Sequence, residues 1–524
     1  MNMYKTGIPR EQEALFPPRL EDYIHANNPV RAIDVYIDSL NLNPEHVADS
    51  TQLRRSAAGQ PAYSPQTLLK LYLYGYINRV RSSRGLEKEC LRNIEVMWLL
   101  SGLSPCYKTI ADFRKNNVSL LKRVHKDFIL LCKKLDLLGG ERIAIDGSFF
   151  CGNVSEKSFV TDKGLKKSIL NLEAQIAQWI STLNEHDLNQ LEQGDCELNG
   201  EALSEKLVQL KQLQAKKLDR EAQLRQLEAS GKTQLSKTDS DARLLKKRGQ
   251  KVAGYNVQIV TDAKHKLVVA DEVIDEPNDL KQLSPMAKAA KQVLESSELE
   301  ALADAGYYSV NELANCLEHD ITPYVAIPPK GKRQENDQRY SKAQFCYDKA
   351  SDSYRCPAGE QVTRRGQKRQ QKSGTFIHRY AASETTCLAC QQKANCITEK
   401  SRCREIWRQA HEELMEDHQR RMDIFGEQLS QRSALAEHPF GTLKRRAGWD
   451  HFLVRGLTKV RGEWSLMALA YNFTRVLNII GIEAFRRLCR AIFAAFVACL
   501  PIRNYFGVIR GGNINKTDNF TPLL

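Results

Sequence analysis

RIAIDGSFF, residues 142–150, is the stretch on which the reading of this chain turns. Ile143 and Ile145 alternate with smaller neighbours, a period of two that predicts a strand, and Gly147 breaks the run directly after Asp146. An acidic side chain is therefore expected at a strand end. Taken alone, Asp-Gly is ordinary turn chemistry. Two distant stretches repeat the arrangement: LEALADAGYYS places Asp304 after a short strand over 299–303, and ALAEHPFGTLKRR places Glu437 in a late helix.

Working outward, the chain leaves the sheet after Asp146 for a long helical excursion. Leu165, Ile169, Leu172, Ile176, Ile180 and Leu183 step by four and three, and Leu203, Leu207 and Leu210 resume the pattern. An antiparallel helical hairpin is expected over 157–237. GYNVQIVTD and HKLVVADEVI then read as adjacent antiparallel strands. A helix near Asp279 to Leu294, the strand ending on Asp304, a helix from about Ser309 to Glu318 and the strand ITPYVAI complete a mixed α/β order. On the N-terminal side, residues 10–135 carry helical spacing throughout, with Ser64 a natural N-cap for the apolar run from Leu68 to Ile77. At the other end, Leu466, Leu469, Ala470, Phe473, Val476 and Leu477 form the apolar face of a core helix.

Composition narrows the function. A chain of 524 residues exceeds one comfortable domain. Its formal net charge of +14 favours a polyanionic partner over an acidic small molecule. The excess is local as well: residues 431–524 hold 14 Lys or Arg against 5 Asp or Glu, beside Glu437. The opening MNMYKTGIPREQEALFPP lacks the apolar core of a signal peptide, so a cytoplasmic protein with no membrane association is expected. Ala491 to Pro501 is too short for a transmembrane span and reads as a buried helix.

Phosphodiester cleavage without a covalent enzyme intermediate needs an activated oxygen nucleophile and a stabilised leaving oxygen, a task two divalent ions perform together. Mg²⁺ prefers oxygen donors, so three carboxylates suit it. The order strand with Asp, hairpin strands, helix, strand with Asp, late helix with Glu resembles the RNase H-like fold. The motifs AIDGS, GYNVQ, ADAGYYS, EHPFGTLKR and RG-x2-KV-x2-EW-x-L-x-ALAYN resemble those of the DDE transposases of bacterial insertion sequences, in the same order and across most of the chain.

That resemblance implies that Asp146, Asp304 and Glu437 are catalytic and hold Mg²⁺ or Mn²⁺. It implies DNA as partner, both terminal inverted repeats and target, and a homodimer in the synaptic complex. Lys444, seven residues after Glu437, matches the family's Glu-x6-Lys and is expected to contact DNA with Arg445 and Arg446. Where relatives carry Tyr and Arg seven and four residues before the glutamate, this chain has Ser430 and Ser433. Arg432, displaced by one position, is counted among the DNA contacts.

The resulting architecture is an RNase H-like mixed sheet in two parts, 139–156 with 238–327 and then 405–524. A helical hairpin (157–237) and a cysteine-containing insertion (328–404) interrupt it, and an all-α DNA-binding domain (1–138) precedes it. Within the second insertion Cys356, Cys387, Cys390 and Cys396 resemble a small zinc-binding unit, since C-x2-C lets two thiolates share one tetrahedral ion. Reduced free thiols and a redox pair are the other readings. Between the cysteines, Arg364, Arg365, Lys368, Arg369, Lys372 and Arg379 make a basic strip. A nuclease that cleaves without joining, and a catalytically idle DNA-binding remnant, are the rival functions.

Overall fold

The computed structural model describes residues 19–40, 42, 61–193, 200–247, 249–329, 339–369, 376–409 and 411–498. They form a mixed α/β protein of two compact units: one joins the chain up to Phe128 with the segment from Thr458 onward, and the other holds Ile129–Leu457. The stretch 405–524, read from sequence as one C-terminal piece, thus divides at Leu457.

The first unit is helical. Ser64 caps the helix Pro65–Ile77 as expected, its side chain accepting from the Thr67 amide at 3.1 Å. Apolar packing joins the two ends of the chain: Tyr36, Phe128, Phe473 and Phe485 are nearly fully buried. Tyr36 meets the Phe128 ring edge-on at 5.1 Å, and Phe128 and Phe473 stand 5.5 Å apart. The helix Leu457–Ile480 carries the last of the sequence motifs, and its Gly462 is needed for space. A Cβ there would stand 3.1 Å from a Val118 methyl. One turn of that motif is ionic. Glu463 is wholly buried, accepts from the Tyr76 hydroxyl at 3.2 Å, and faces Arg114 at 3.7 Å. No single described helix is long and apolar enough to cross a membrane. The stretch 491–501, expected to be a buried helix, is helical as the end of Ile482–Ala498, but Ala491 and Ala494 are exposed there; the residues beyond 498 lie outside the described ones.

The second unit opens with β1 (Arg142–Cys151). β2 (Phe159–Thr161) and β3 (Gln234–Ser236) pair antiparallel and close the base of two long helices, Asp162–Gln193 and Gly200–Ser230. Then come β4 (Arg243–Lys247), β5 (Gln250–Asp262), β6 (Val268–Ile274), β7 (Leu299–Ala303) and β8 (Ile321–Val325). β5 lies antiparallel to β1, with Gly147 opposite Gln258. On its other edge β5 takes β4 along its first half and β6 along its second. β7 runs parallel to β1, with Ala144 beside Leu302, and β8 runs parallel to β7. The sheet order is therefore β6-β5-β1-β7-β8, with the two Asp-bearing strands at its centre.

A second, all-antiparallel sheet follows: β9 (Cys346–Asp348), β10 (Ser353–Arg355), β11 (Gln361–Arg369), β12 (Phe376–Ala381) and β13 (Glu405–Gln409), in sequential order. It runs five residues past Arg404, because EIWRQ alternates exposed and buried residues and pairs with β12. Phe345, Tyr354, Val362, Tyr380 and Ile406 are its core.

Candidate active site

Strand alternation sorts the residues of β1 onto two faces. Ala144, Asp146, Ser148 and Phe150 share one of them, which is covered by the helix Leu429–Gly441 and the turn that follows. Leu435 and Ala436 of that helix pack with Ala144 and Leu302. Arg432 brings its guanidinium 3.5 Å from the Asp146 carboxylate, both side chains less than one-fifth exposed. Phe440 meets the Phe150 ring at 6.0 Å. Lys444 donates to the Ser148 hydroxyl at 2.7 Å and lies 4.2 Å over Phe150. Each side chain on this face of β1 thus has a partner on the helical segment.

Asp146 and Asp304 are brought together by the sheet. They follow Ala144 and Leu302 by two residues each, and those two are side by side on adjacent parallel strands, whose spacing is about 4.8 Å. The Asp146 carboxylate accepts from the Gly147 amide at 2.9 Å. Asp304 caps a single 3₁₀ turn, its Oδ1 accepting from the Gly306 amide at 2.9 Å. Their charges meet at Tyr307. Burial first, then Asp279, Asp146 and Asp304, push its phenol well above the ordinary value, with Arg432 opposing.

Glu437 is exposed, and its level along β1 is bracketed by its neighbours. Ala436 packs at Ala144 and Phe440 at Phe150, which sets the helix backbone at Glu437 level with Asp146 along the strand, its side chain exposed. The segment from Glu437 to Lys444 is not a regular helix. Pro439 lies inside it and Thr442–Arg446 is wound as a π-helix, Ala447 donating to the Thr442 carbonyl at 3.0 Å. The wider turn directs Lys444 onto β1 and leaves Arg445 and Arg446 exposed.

Among the described residues, no group of three or more His, Cys, Asp or Glu side chains is gathered as a metal centre. The donor chemistry of Asp146, Asp304 and Glu437 nevertheless suits a hard divalent ion, being all carboxylate and borne on rigid elements. Cys356, Cys387, Cys390 and Cys396 line one apolar cavity of about 30 Å³, with Tyr340 and Arg404. The Gln392 amide donates to the Cys390 sulfur at 3.4 Å. Burial pushes the Cys396 thiol up; Arg404 opposes the shift, while Cys387, Cys356 and Cys390 add to it. In the basic strip, Arg364 pairs with Asp352 at 3.3 Å and Arg379 with Glu405 at 3.6 Å; Lys372 lies outside the described residues.

Sequence reasoning listed Arg432 as a DNA contact and missed its pairing with Asp146, and it missed the buried cluster around Asp279. The Arg432 partnership follows from tertiary packing that no local pattern encodes. Asp279 was read only as a helix start. The signal that could have found it is the pair Asn256 and Gln258, polar residues at buried positions of β5 that require a partner.

Residues 18–116 match a family described as "Transposase domain (DUF772)", and residues 355–477 match one described as "Transposase DDE domain". The second match contains Glu437, Lys444 and the four cysteines, while Asp146 and Asp304 precede it. No curated protein gives a significant match. A solved structure titled "Cryo-EM structure of piggyBac transposase synaptic complex with hairpin DNA (SNHP)" aligns over 96% of this chain and 89% of its own at 10% identity. Its TM-score is 0.32, too low to bear on fold or chemistry.

Proposed function

We propose that this chain, an insertion-sequence DDE transposase by its two family matches, binds the terminal inverted repeats of its element, cuts the ends and joins them to target DNA. The observation that carries the reading is the placement of Asp146 and Asp304 on adjacent parallel strands, with the helix bearing Glu437 laid along the same face. The sheet order, with β5 antiparallel to β1 and flanked by β4 and β6 on one side, and two parallel strands on the other, supports an RNase H-like core.

Asp146, Asp304 and Glu437 would hold Mg²⁺ or Mn²⁺. When bound, such ions supply charge stabilisation for the attacking and leaving oxygens of an in-line displacement. The chain's own residues do the rest. β1 and β7 fix two carboxylates at about one strand spacing, Arg432 orients Asp146, and Glu437 closes the face from the helix. Arg445 and Arg446, exposed beside it, face the phosphates, whereas Lys444 is held against β1 by Ser148 and Phe150. Water is the nucleophile in the first step, and the freed 3′ hydroxyl is the nucleophile in the second. Two ends must be held at once, so a homodimer is the working form. The four cysteines are a candidate structural zinc set, and the helical unit with its "Transposase domain (DUF772)" match contributes to DNA binding.

The test is incubation of the purified chain with its element's own ends and Mg²⁺. Wild type is expected to nick each end, and Glu437→Gln is not; equal cleavage by both would overturn the site. A pre-cut end and a plasmid target then separate joining from simple nuclease action.

A further inference from the structure

Asn256 and Gln258 are fully buried in β5, where an amide without partners is costly. Both donate to one oxygen of Asp279, at 2.8 Å and 2.6 Å. The Gln258 carbonyl in turn accepts from the buried Tyr307 hydroxyl. The cluster lies on the face of β1 opposite Asp146, because Gly147, the next residue along the strand, is the one paired with Gln258. A Cβ at Gly147 would stand 2.8 Å from Asp279 Oδ1 and 3.1 Å from the Tyr307 hydroxyl. A Cβ at Gly306 would stand 2.9 Å from Asp304 Oδ1 and 3.7 Å from Asp279 Oδ2. Gln258, closer still, and Asp279 thus leave no room for a side chain at Gly147, while Asp279 Oδ2 only touches the surface at Gly306, whose tight neighbour is Asp304 itself; each glycine lies within two residues of a strand-end aspartate.

We propose that Asp279 is a positioning residue for Asp146 and Asp304, bracing both strand ends from behind through Gln258, Tyr307 and the two glycine surfaces. The inference rests on the transposase reading of that site and adds to it a residue outside the acidic triad. Asp279 acts as a hydrogen-bond acceptor and a spacer. Its charge is dispensable so long as an oxygen remains to receive the two amides, which Asn supplies and Ala does not.

The experiment compares Asp279→Ala, Asp279→Asn and Tyr307→Phe in the full chain, with thermal melting and end binding in EDTA as controls for folding. Asp279→Ala is expected to slow end cleavage about 100-fold, the order of loss caused by a misplacement near 1 Å. It should also weaken Mn²⁺ binding, followed by electron paramagnetic resonance, about tenfold. Asp279→Asn should stay within about threefold of wild type on both readouts, since it keeps the acceptor. Tyr307→Phe, which removes only the hydroxyl, should cost about tenfold in cleavage.

A folded Asp279→Ala that cleaves and binds Mn²⁺ like wild type would overturn the proposal, as would Asp279→Asn as impaired as Ala. If the Ala variant does not fold, wild-type cleavage by Tyr307→Phe overturns it instead. Wild type that neither cleaves its ends nor binds Mn²⁺ would overturn the transposase reading and this inference with it. An active wild type with an indifferent Asp279 overturns this inference alone.

Discussion

Two arginine–carboxylate pairs, one in each unit, have nearly the same length and opposite surroundings. Arg114 and Glu463 stand 3.7 Å apart at 7% and 0% side-chain exposure, tied further to Tyr76 and the Arg81 carbonyl. Arg432 and Asp146 stand 3.5 Å apart at 17% and 16% exposure, on a face whose next acidic neighbour, Glu437, is exposed. Burial makes the first pair structural: with no water to replace a lost partner, each charge requires the other. The second pair is partly exposed, and in the proposed reading Asp146 exchanges that counter-charge for a metal ion. Both carboxylates lie in conspicuous sequence motifs, EW-x-L-x-ALAYN and AIDGS, and their surroundings differ.

The largest effect expected is on the sealed pair. Glu463→Ala should lower unfolding stability by about 3–5 kcal/mol, measured by denaturant titration, while Glu463→Gln with Arg114→Met recovers part of the loss. Failure of the double variant to recover would mean that the pair is not the unit of stability. Asp146→Asn should do the reverse: end cleavage falls by at least about 100-fold, equivalent to ~2.7 kcal/mol, with little change in melting. Adding Arg432→Gln should restore none of it, and recovery would mark the pair as structural after all. Gly462→Ala forces a methyl against Val118 and should cost about 1–3 kcal/mol of stability without touching cleavage by the folded fraction. Smallest of all, Arg445→Gln with Arg446→Gln should leave cleavage at saturating DNA unchanged and reduce the salt slope of end binding by roughly 2. Metal analysis of the purified chain tests the cysteine set separately: one zinc per chain, lost in Cys387→Ser with Cys390→Ser, is the expected result.

The sheet was legible because its signals are local. Ile143 and Ile145 alternate around smaller residues, and parallel β7 and β8 read as short apolar runs between helices. The helical hairpin declared itself by spacing, and the exposed alternation of EIWRQ would have extended the second sheet had it been weighed as strand. What could not be read was set by packing at a distance. Helical spacing in 457–480 predicts a core helix and does not say whose core; only Phe473 against Tyr36 and Phe128 assigns it to the N-terminal helices. Likewise an ideal helix projects Arg432 about 140° from Glu437. It reaches Asp146 because the strand passes beneath that flank. Pro439 and Gly441 are residues that interrupt a regular helix, but the five-residue π turn that redirects Lys444 depends on the β1 surface it meets.

The helical unit is assembled from segments separated by the whole of Ile129–Leu457. During synthesis its first half must therefore wait, with Tyr36 and Phe128 lacking Phe473 and Phe485, for roughly 20–60 s at ordinary ribosomal rates. A message truncated anywhere before that closing segment yields a product with a persistently open apolar seam, a natural target for chaperones and proteases. Only a polypeptide translated beyond the closing helices can complete this unit, so the fold itself discriminates against partial copies.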